Sequence, residues 1–249
     1  MVMREKATTD AGVSLGRCRA PAKLTLSLRV VGVRADGFHL IESEMVSISL
    51  ADELEFIEGD GLEVVGNGAV PDDDSNLVRR ALRVTGRTAH VRLHKRIPMG
   101  GGLGGGSADA AGVLRWAGVT DLALAASLGA DVPFCLLGGR AMVGGIGEVV
   151  DPLPFVDRAF TLVTPPFGVS TPAVYRAWDE LGGPRAAGPN DLEPAALAVE
   201  PRLAEWRDRF AADTGATPVL AGSGATWWVE GTFDGPGYVQ ARTLPPEAT

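Results

Sequence analysis

The chain has 249 residues, of which 45% are apolar, and a formal net charge of −8. This composition suits a globular protein that buries a substantial core in one large domain or two modest ones. The negative charge would repel a nucleic-acid backbone or an anionic membrane, so neither is expected as a main partner. Apolar runs such as Val132–Leu137 are far shorter than the roughly 20 residues that span a bilayer, and no membrane helix is expected.

The cysteines indicate a reducing environment. Cys18 and Cys135 lie far apart and lack the spacing of a metal site. Cys135 is surrounded by apolar residues, where a free cysteine usually packs as a small hydrophobe. We therefore expect a cytoplasmic protein in which Cys135 has a packing role.

The N-terminal third is predicted to be mostly sheet. Residues 1–18 hold no continuous apolar stretch, which is typical of a frayed, flexible extension and not of a secretory signal. Residues 19–31 alternate apolar and polar side chains, the period-two pattern of a half-buried strand. Further short strands are expected, separated by polar turns: strands at 45–50, 54–57 and 62–65, and turns at 51–53 and 59–61.

The rest of the chain mixes helices and strands. Ser75 can cap a helix that begins near Leu77 and stops near Gly86. Further helices are expected at 110–114, 122–128, 172–181, 193–199 and 202–212, and strands at 91–98, 141–143, 160–163, 219–220 and 227–229. This mixture predicts an α+β fold with a joint near residues 150–158, and hence an N-terminal domain over 1–153 and a C-terminal domain over 154–249.

Six glycines lie between a predicted strand and a predicted helix. They are Gly100, Gly101, Gly102, Gly104, Gly105 and Gly106, interrupted by Leu103. Glycine lets a backbone approach a ligand closely, and the free N–H groups and dipole at the start of the next helix attract anions. The run therefore predicts a phosphate-binding loop, to which the upstream Lys95 and Arg96 can add positive charge.

Other interpretations compete with this one. The run contains the G-x-G-x-x-G spacing of a dinucleotide site, but any dense glycine run does, and the surrounding context is poor. A Walker A loop requires a lysine where Ser107 follows Gly106. The glycines can also be a flexible connector, with Ser107 capping the helix and Asp109 favouring its positive end. Lys95 and Arg96 would then form a solvated strand end.

Four segments of the chain resemble the GHMP kinases, and within them the kinases of a cytidine-diphosphate-linked methylerythritol. They are residues 20–28, 34–39, 95–111 and 128–134. Weaker likenesses lie at 144–148, 190–193 and 221–226. Because the motifs occur in the right order over most of the chain, the resemblance is far more specific than the glycine run alone.

The resemblance implies an ATP-dependent kinase. The reaction would be phosphorylation of the 2-hydroxyl of 4-diphosphocytidyl-2-C-methyl-D-erythritol in non-mevalonate isoprenoid precursor biosynthesis, with Mg²⁺ as counter-ion. The implied fold is a two-domain GHMP kinase, with an N-terminal ribosomal protein S5 domain 2-like part and a ferredoxin-like C-terminal domain. The site would lie between them. The expected partner is a small molecule, and the chain is expected to be a monomer or weak homodimer.

The resemblance also implies catalytic roles for two residues. Asp131 matches the family's catalytic aspartate and Lys23 the lysine that pairs with it. Phosphoryl transfer depends mostly on positioning and charge stabilisation, which such a pair can supply. Considered without the resemblance, Asp131 also suits a turn or cap and Lys23 a strand edge.

Further binding residues are carried over in the same way. Phe38 and His39 match the residues that receive cytosine by stacking and hydrogen bonding, although alone they also suit a packed turn. The other expected substrate contacts are Thr25, Gly222, Ser223 and Gly224. The expected ATP contacts are Asn76, Lys95, Pro98, Gly100, Gly101, Gly102, Leu103, Gly104, Gly105, Gly106 and Ser107, the last also a candidate metal ligand.

Some positions depart from the family pattern. Thr25 stands where the nearest relatives usually have asparagine, and Ala108 replaces a second serine. Residues 231–237 are too few for the helix expected between two late strands. These changes put substrate hydrogen bonding and metal placement in question and predict a trimmed C-terminal domain.

Alternative functions follow from the same scaffold. Another GHMP kinase would use homoserine or mevalonate, which the segment 36–39 disfavours. A non-catalytic nucleotide-binding homologue would need neither Lys23 nor Asp131. An RNA-binding module is disfavoured by the acidic charge.

Overall fold

The computed structural model describes residues 13–66 and 73–246. Within these ranges the elements in chain order are β1 (Ser14–Val33), β2 (His39–Ile57), β3 (Gly61–Gly66), α1 (Leu77–Thr85), β4 (His90–Lys95), α2 (Gly105–Trp116), α3 (Leu122–Leu128), α4 (Val132–Leu137), β5 (Arg140–Gly144), β6 (Val149–Leu153), β7 (Ala159–Val163), α5 (Thr171–Glu180), α6 (Glu193–Val199), α7 (Arg202–Thr214), β8 (Val219–Leu220), β9 (Trp227–Glu230) and β10 (Tyr238–Arg242). The predicted α+β mixture is confirmed.

The first half of the described chain forms a six-stranded mixed sheet. Its neighbours run β3-β4-β2-β5-β6, and β1 also pairs with β2 as a long antiparallel hairpin. The β3–β4 pair is parallel, and α1 lies in the crossover connection that parallel neighbours need. Helix α2 packs against β1, with α1 and α4 beside it.

A large apolar core lies between this sheet and its helices. Leu24, Phe56, Leu93, Leu114 and Phe134 are fully buried there. Each such side chain contributes about 1.5–3 kcal/mol through removal of apolar surface from water. This core fixes β1 and α2, the two elements that border the glycine run.

A second, four-stranded antiparallel sheet has the order β10-β7-β9-β8. One face carries Phe160, Leu162 and Trp228, which pack into the first core, while the other carries Val163 and Trp227, which face the second core with α5, α6 and α7. The sheet is therefore buried on both sides. The order of strands and helices follows the ferredoxin-like plan, with residues 231–237 in place of its second helix.

The boundary between the two predicted domains stays a prediction. The first sheet ends at Leu153 and the second begins at Ala159. The first core nevertheless includes Phe160, and the second includes Leu28 and Ile41 from β1 and β2. The two halves thus share their apolar interior.

The predicted frayed extension over 1–18 is wrong for residues 14–18. They form the first part of β1, where Ser14 pairs with Ile57 and Cys18 with Leu54. Leu15 O also accepts a hydrogen bond from Trp116 Nε1 at 3.1 Å. These partners are distant in sequence, so local composition did not indicate them. Residues 1–12 lie outside the described residues.

The predicted turn at 51–53 is also wrong. Strand β2 runs through it, and Asp52 is fully buried. Its Oδ1 accepts from the backbone N–H groups of Arg96 at 2.5 Å and Ile97 at 2.8 Å, and its Oδ2 pairs with the Lys95 ammonium. A buried carboxylate is tolerated only when donors surround it, and here the end of β4 supplies them.

Two local predictions have different outcomes. The N-cap of α1 is Asn76 and not Ser75, because Asn76 Oδ1 accepts from Val78 N at 2.8 Å while Ser75 bonds to Asp73.

The packing role of Cys135 is confirmed, since it is buried in the first core and burial raises the pKa of its thiol to about 12.

Candidate active site

A cavity of about 420 Å³ opens where the glycine run meets the second sheet's loops. Its walls come from β1 and β2, the glycine run, the starts of α4 and α5, and the loop between β8 and β9. The polar and glycine residues that line it are Lys23, Gly100, Gly102, Gly104, Gly105, Gly106, Ser107, Asp131, Thr171, Tyr175, Gly222 and Ser223. The structure thus brings together residues predicted from four separate segments.

The glycine run leads directly into α2. Gly100, Gly102 and Gly104 have φ angles of +67°, +77° and +69°, which side-chain-bearing residues rarely adopt. Gly104 is the N-cap of α2, and no side chain caps this helix start. The prediction that Ser107 caps the helix is therefore wrong. The first-turn N–H groups, which have no intrahelical partners, stay available for an anion in the cavity.

The run is also packed tightly against a second glycine-containing segment, residues 221–226, which is called the second glycine segment below. A Cβ on Gly102 would lie 2.1 Å from Ala221 O, and one on Gly224 would lie 2.0 Å from Gly102 N. The Thr226 N–H donates to Gly101 O at 3.2 Å. The alternative of a flexible connector is therefore wrong, because the glycines are required where two backbones touch.

Lys23 and Asp131 meet at the cavity wall. The β1–β2 register shifts between Pro21 and Lys23, and the Lys23 N–H donates to Leu103 O at 3.0 Å, which places Lys23 beside the glycine run. Its Nζ lies 3.6 Å from Asp131 Oδ2 and donates to Thr25 Oγ1 at 3.2 Å. The Lys23 side chain is only 8% exposed, so the ammonium needs a nearby counter-charge.

The Asp131 carboxylate remains accessible from the cavity. Asp131 is the N-cap residue of α4, but its side chain makes no capping hydrogen bond. The side chain is 32% exposed and lines the cavity. The alternative of a turn or cap position is therefore correct for the Asp131 backbone, but the side chain does not cap the helix and its oxygens are placed to meet a bound molecule.

A second lysine lies beneath the run with two carboxylates. Lys95 Nζ pairs with Asp52 Oδ2 and lies 2.8 Å from Asp109 Oδ2, and all three side chains are at most 4% exposed. Burial lowers the pKa of Lys95, but the charges of Asp109 and Asp52 outweigh it and the pKa is raised. Burial, together with the charge of Asp52, raises the pKa of Asp109 to about 7, although Lys95 opposes the shift. Lys95 thus has a structural contact here, and its part in ATP binding stays a prediction.

An adjoining cavity, also of about 420 Å³, contains the residues predicted to receive a base. Phe38 and His39 line it, and Phe38 is 55% exposed. Tyr175 borders both cavities and stacks on His39 with ring centroids 4.7 Å apart. Burial, and then the charge of Asp131, raises the pKa of Tyr175 to about 12. The two cavities therefore adjoin through a neutral aromatic side chain.

The second glycine segment is fixed by Asn190. Asn190 is fully buried, and its Nδ2 donates to Leu220 O at 2.9 Å and to Gly222 O at 2.7 Å. Ser223 Oγ is 2.7 Å from Thr171 Oγ1, which links this segment to α5. Gly222 and Ser223 therefore border the cavity with little freedom to move.

Several residues predicted to bind ATP or substrate do not border either cavity. Pro98, Gly101, Leu103 and Gly224 form the packed base of the two glycine segments, and Asn76 caps α1. Thr25 is buried and bonds to Lys23. Direct ligand contacts from these six positions stay predictions.

Sequence reasoning missed the contribution of α5. Thr171 and Tyr175 line the first cavity, and Tyr175, Arg176 and Asp179 line the second. Tyr175 and Trp178 have the spacing of an ordinary apolar helix face, so nothing local marks them as site residues. The one available signal is that α5 follows directly on the loop 164–170, at the end of a buried strand.

Two features are absent from the described residues. No helix among them is long and apolar enough to cross a membrane. No group of three or more histidine, cysteine, aspartate or glutamate side chains in the same ranges is arranged to hold a metal ion.

Comparison with known proteins agrees with this geometry. Residues 76–139 match the model of the GHMP kinases N terminal domain. The chain is 40% identical to the 4-diphosphocytidyl-2-C-methyl-D-erythritol kinase of Paramagnetospirillum magneticum, over 83% of this chain and 86% of that protein. It is 39% identical to the kinase of the same name from Salinispora tropica, over 84% and 81%.

Solved structures agree as well. A crystal structure of 4-(cytidine 5'-diphospho)-2C-methyl-D-erythritol kinase superposes with a TM-score of 0.74 at 34% identity, covering 91% of this chain and 98% of that one. A homoserine kinase from Cytophaga hutchinsonii reaches a TM-score of 0.55 at 17% identity, over 99% and 98%, which shows a shared fold alone. The predicted GHMP kinase fold is confirmed, and the chain belongs to the 4-diphosphocytidyl-2-C-methyl-D-erythritol kinase family.

Proposed function

We propose that this protein transfers the γ-phosphoryl group of ATP to the 2-hydroxyl of 4-diphosphocytidyl-2-C-methyl-D-erythritol, a step of non-mevalonate isoprenoid precursor biosynthesis. The single observation that carries the proposal is the Lys23–Asp131 pair, 3.6 Å apart on the wall of the cavity that the glycine run also lines. The family relationship supports the identity of the acceptor.

The glycine run would hold the ATP phosphates. The uncapped start of α2 offers backbone N–H groups and the positive end of the helix dipole. Because the run is locked against residues 221–226, these donors are held in place before ATP arrives. Such preorganisation is what stabilises charge in a phosphoryl-transfer transition state.

Asp131 and Lys23 would act at the acceptor hydroxyl. The Asp131 carboxylate can orient the hydroxyl and accept its proton as the bond to phosphorus forms. Lys23 holds that carboxylate and offsets negative charge near the transferred group. Thr25, which accepts from Lys23, keeps the ammonium in this position.

Magnesium would be held with few protein ligands. The Ser107 hydroxyl and the Asp131 carboxylate border the cavity, whereas Asp109 is buried against Lys95. This donor set fits Mg²⁺, which usually combines one or two protein oxygens with substrate phosphates and water. When bound, the ion would neutralise charge on the phosphates.

The adjoining cavity would take the cytosine. Phe38 offers an exposed ring for stacking, which is worth about 1–3 kcal/mol per base. His39 offers a ring nitrogen for the base edge. The cavity adjoins the first one at Tyr175, so the base and the acceptor hydroxyl of one molecule can occupy both. We further propose that the enzyme works in the cytoplasm as a monomer or weak homodimer.

The test is an acceptor panel. Purified protein with ATP and Mg²⁺ is given 4-diphosphocytidyl-2-C-methyl-D-erythritol, homoserine or mevalonate, and ADP release is measured. We expect ADP with the first acceptor alone. A preference for homoserine or mevalonate would overturn the substrate assignment and leave a kinase, and ADP release with none of the three would overturn the proposed activity.

A further inference from the structure

His39 is held on three sides by one helix. Tyr175 stacks on the imidazole at 4.7 Å with an interplanar angle of 29°, and Trp178 meets it edge-on at 5.5 Å and 88°. Asp179 Oδ1 lies 2.8 Å from His39 Nε2. These three residues share a face of α5 because they are spaced i, i+3 and i+4. The His39 side chain is only 9% exposed, so its ring has little freedom to turn.

The Asp179 contact determines which ring nitrogen carries the proton. A carboxylate accepts hydrogen bonds and does not donate them, so Nε2 must be protonated for the 2.8 Å contact to form. In a neutral imidazole the other nitrogen, Nδ1, is then an acceptor. Among the described residues, Nδ1 of His39 has no hydrogen-bond partner.

An acceptor nitrogen distinguishes between two pyrimidines. The exocyclic amine of cytosine can donate to Nδ1, whereas the carbonyl oxygen that replaces it in uracil would bring two lone pairs together. A site built to pair with a donor disfavours a ligand that lacks a donor at that position, because its own polar atom is left unpaired. We propose that Asp179 is a positioning residue which fixes the Nε2-protonated tautomer of His39 and thereby selects an amino-bearing base; this inference rests on the proposed function.

Helix α5 also offers a matched control. Asp179 and Glu180 are neighbouring exposed carboxylates at the end of α5. Of the two, only Asp179 lines the adjoining cavity that contains Phe38 and His39. Asp179→Asn and Glu180→Gln each remove one negative charge with almost no change in size. An effect of overall charge would appear in both variants, and an effect through His39 in Asp179→Asn alone.

The first measurement compares the cytidine substrate with its uridine analogue. The parent is expected to prefer the cytidine compound in kcat/KM. In Asp179→Asn, KM for the cytidine substrate should rise about tenfold with kcat within about twofold, since one hydrogen bond at the base edge is weakened. The cytidine-to-uridine ratio of kcat/KM should fall at least about tenfold, and Glu180→Gln should match the parent. An equal ratio in the two variants would overturn the inference.

The second measurement needs no substrate. Nitrogen-15 spectra of the imidazole rings at a pH above the ordinary histidine pKa report which nitrogen is protonated. The chain has three histidines, and His90→Gln and His94→Gln assign the remaining signal to His39. We expect protonated Nε2 in the parent, and ring resonances that move toward each other in Asp179→Asn but not in Glu180→Gln.

The two measurements separate the possible failures. A parent protonated on Nδ1, or an unchanged His39 spectrum in Asp179→Asn, would overturn the tautomer assignment even if the enzyme turns over the cytidine substrate. Absence of turnover with that substrate would overturn the proposed function and base selection with it. The spectra would still decide the tautomer in that case.

Discussion

The site contains two lysine–aspartate clusters built from the same residue types but placed differently. Lys23 and Asp131 lie on the cavity wall, 3.6 Å apart, with the Asp131 side chain 32% exposed. Lys95 lies beneath the glycine run with Asp52 and Asp109, and none of these three side chains is more than 4% exposed. One cluster borders the bound molecules and the other borders the core.

The difference teaches what makes such a pair chemically useful. In the buried cluster, Asp52 accepts from Lys95 and from the backbone N–H groups of Arg96 and Ile97, while Asp109 accepts from Lys95 through Oδ2. In the open cluster, the Asp131 oxygens border the cavity. Among the described residues, the Lys23 ammonium is the only charged group that forms an ion pair with them. A carboxylate that faces a cavity can accept a proton from a bound molecule, whereas one enclosed in the core cannot reach that molecule and serves the structure.

The largest expected effect is loss of turnover in Asp131→Asn. An amide cannot accept the hydroxyl proton, so kcat should fall by about 10²–10⁴-fold while ATP binding is kept. The melting temperature should fall only slightly, because the amide oxygen still faces the Lys23 ammonium. Steady-state kinetics and a thermal melt measure the two quantities. Asp121→Asn is the control, because Asp121 caps α3 and asparagine caps equally well. A fall in kcat of less than tenfold would mean that Asp131 is a structural carboxylate, and the proposed difference between the two clusters would be wrong.

The next effect should be on folding, in Lys95→Met. Removing the ammonium leaves Asp52 and Asp109 buried without a counter-charge, which typically costs about 3–5 kcal/mol of unfolding free energy. Lys23→Met, at the open cluster, should lose turnover with a smaller change in stability. Denaturant melts and ATP-binding titrations distinguish the two roles. If Lys95→Met folds as stably as the parent and has lost ATP affinity, Lys95 is an ATP ligand and the comparison fails.

Local sequence signals predicted the elements that local chemistry determines. The alternation over residues 19–31 predicted the central part of β1, and the glycine run predicted that a helix begins directly after it. The family motifs indicated Lys23 and Asp131 together, although they are far apart in the chain. Their convergence at 3.6 Å agrees with that pairing.

Contacts between residues distant in sequence explain the features that the sequence analysis missed. Asp52 looks like a turn residue until the end of β4 surrounds it with donors. Lys95 looks like a free cation beside a phosphate loop until two buried carboxylates pair with it. Asp179 becomes notable only because α5 lies against the start of β2. Each depends on tertiary contacts that no short pattern contains.

A smaller effect should appear in the pH dependence of stability in Asp109→Asn. Because the pKa of Asp109 is raised from 3.8 to about 7 in the fold, the unfolded chain loses this proton first as pH rises. Stability from this group is thus fully present below about pH 4 and is lost as pH rises through about 7. The asparagine variant lacks this loss, so its unfolding free energy relative to the parent should rise between pH 5 and pH 8.

The same melts check this prediction against a control. Asp74→Asn changes a carboxylate that is 81% exposed, and its difference from the parent should be the same at both pH values. An Asp109→Asn difference that is also independent of pH would mean that Asp109 is charged throughout. Turnover at pH 8 should be close to that of the parent, because Asp109 does not border the cavity.

The smallest expected effect is at Ser107, two residues before Asp109 on α2 but on the cavity side. Ser107→Ala removes one hydroxyl that the proposal places at a phosphate oxygen or Mg²⁺, a hydrogen bond worth about 0.5–1.5 kcal/mol. KM for ATP should therefore rise by about 2- to 12-fold, while the melting temperature is unchanged or slightly higher, since Ser107 does not cap the helix and alanine favours it. Lower stability with an unchanged KM for ATP would show that Ser107 has a structural role and does not contact ATP. Comparing Ser107→Ala with Asp109→Asn thus tests whether α2 changes from ligand-binding to structural side chains within one helical turn.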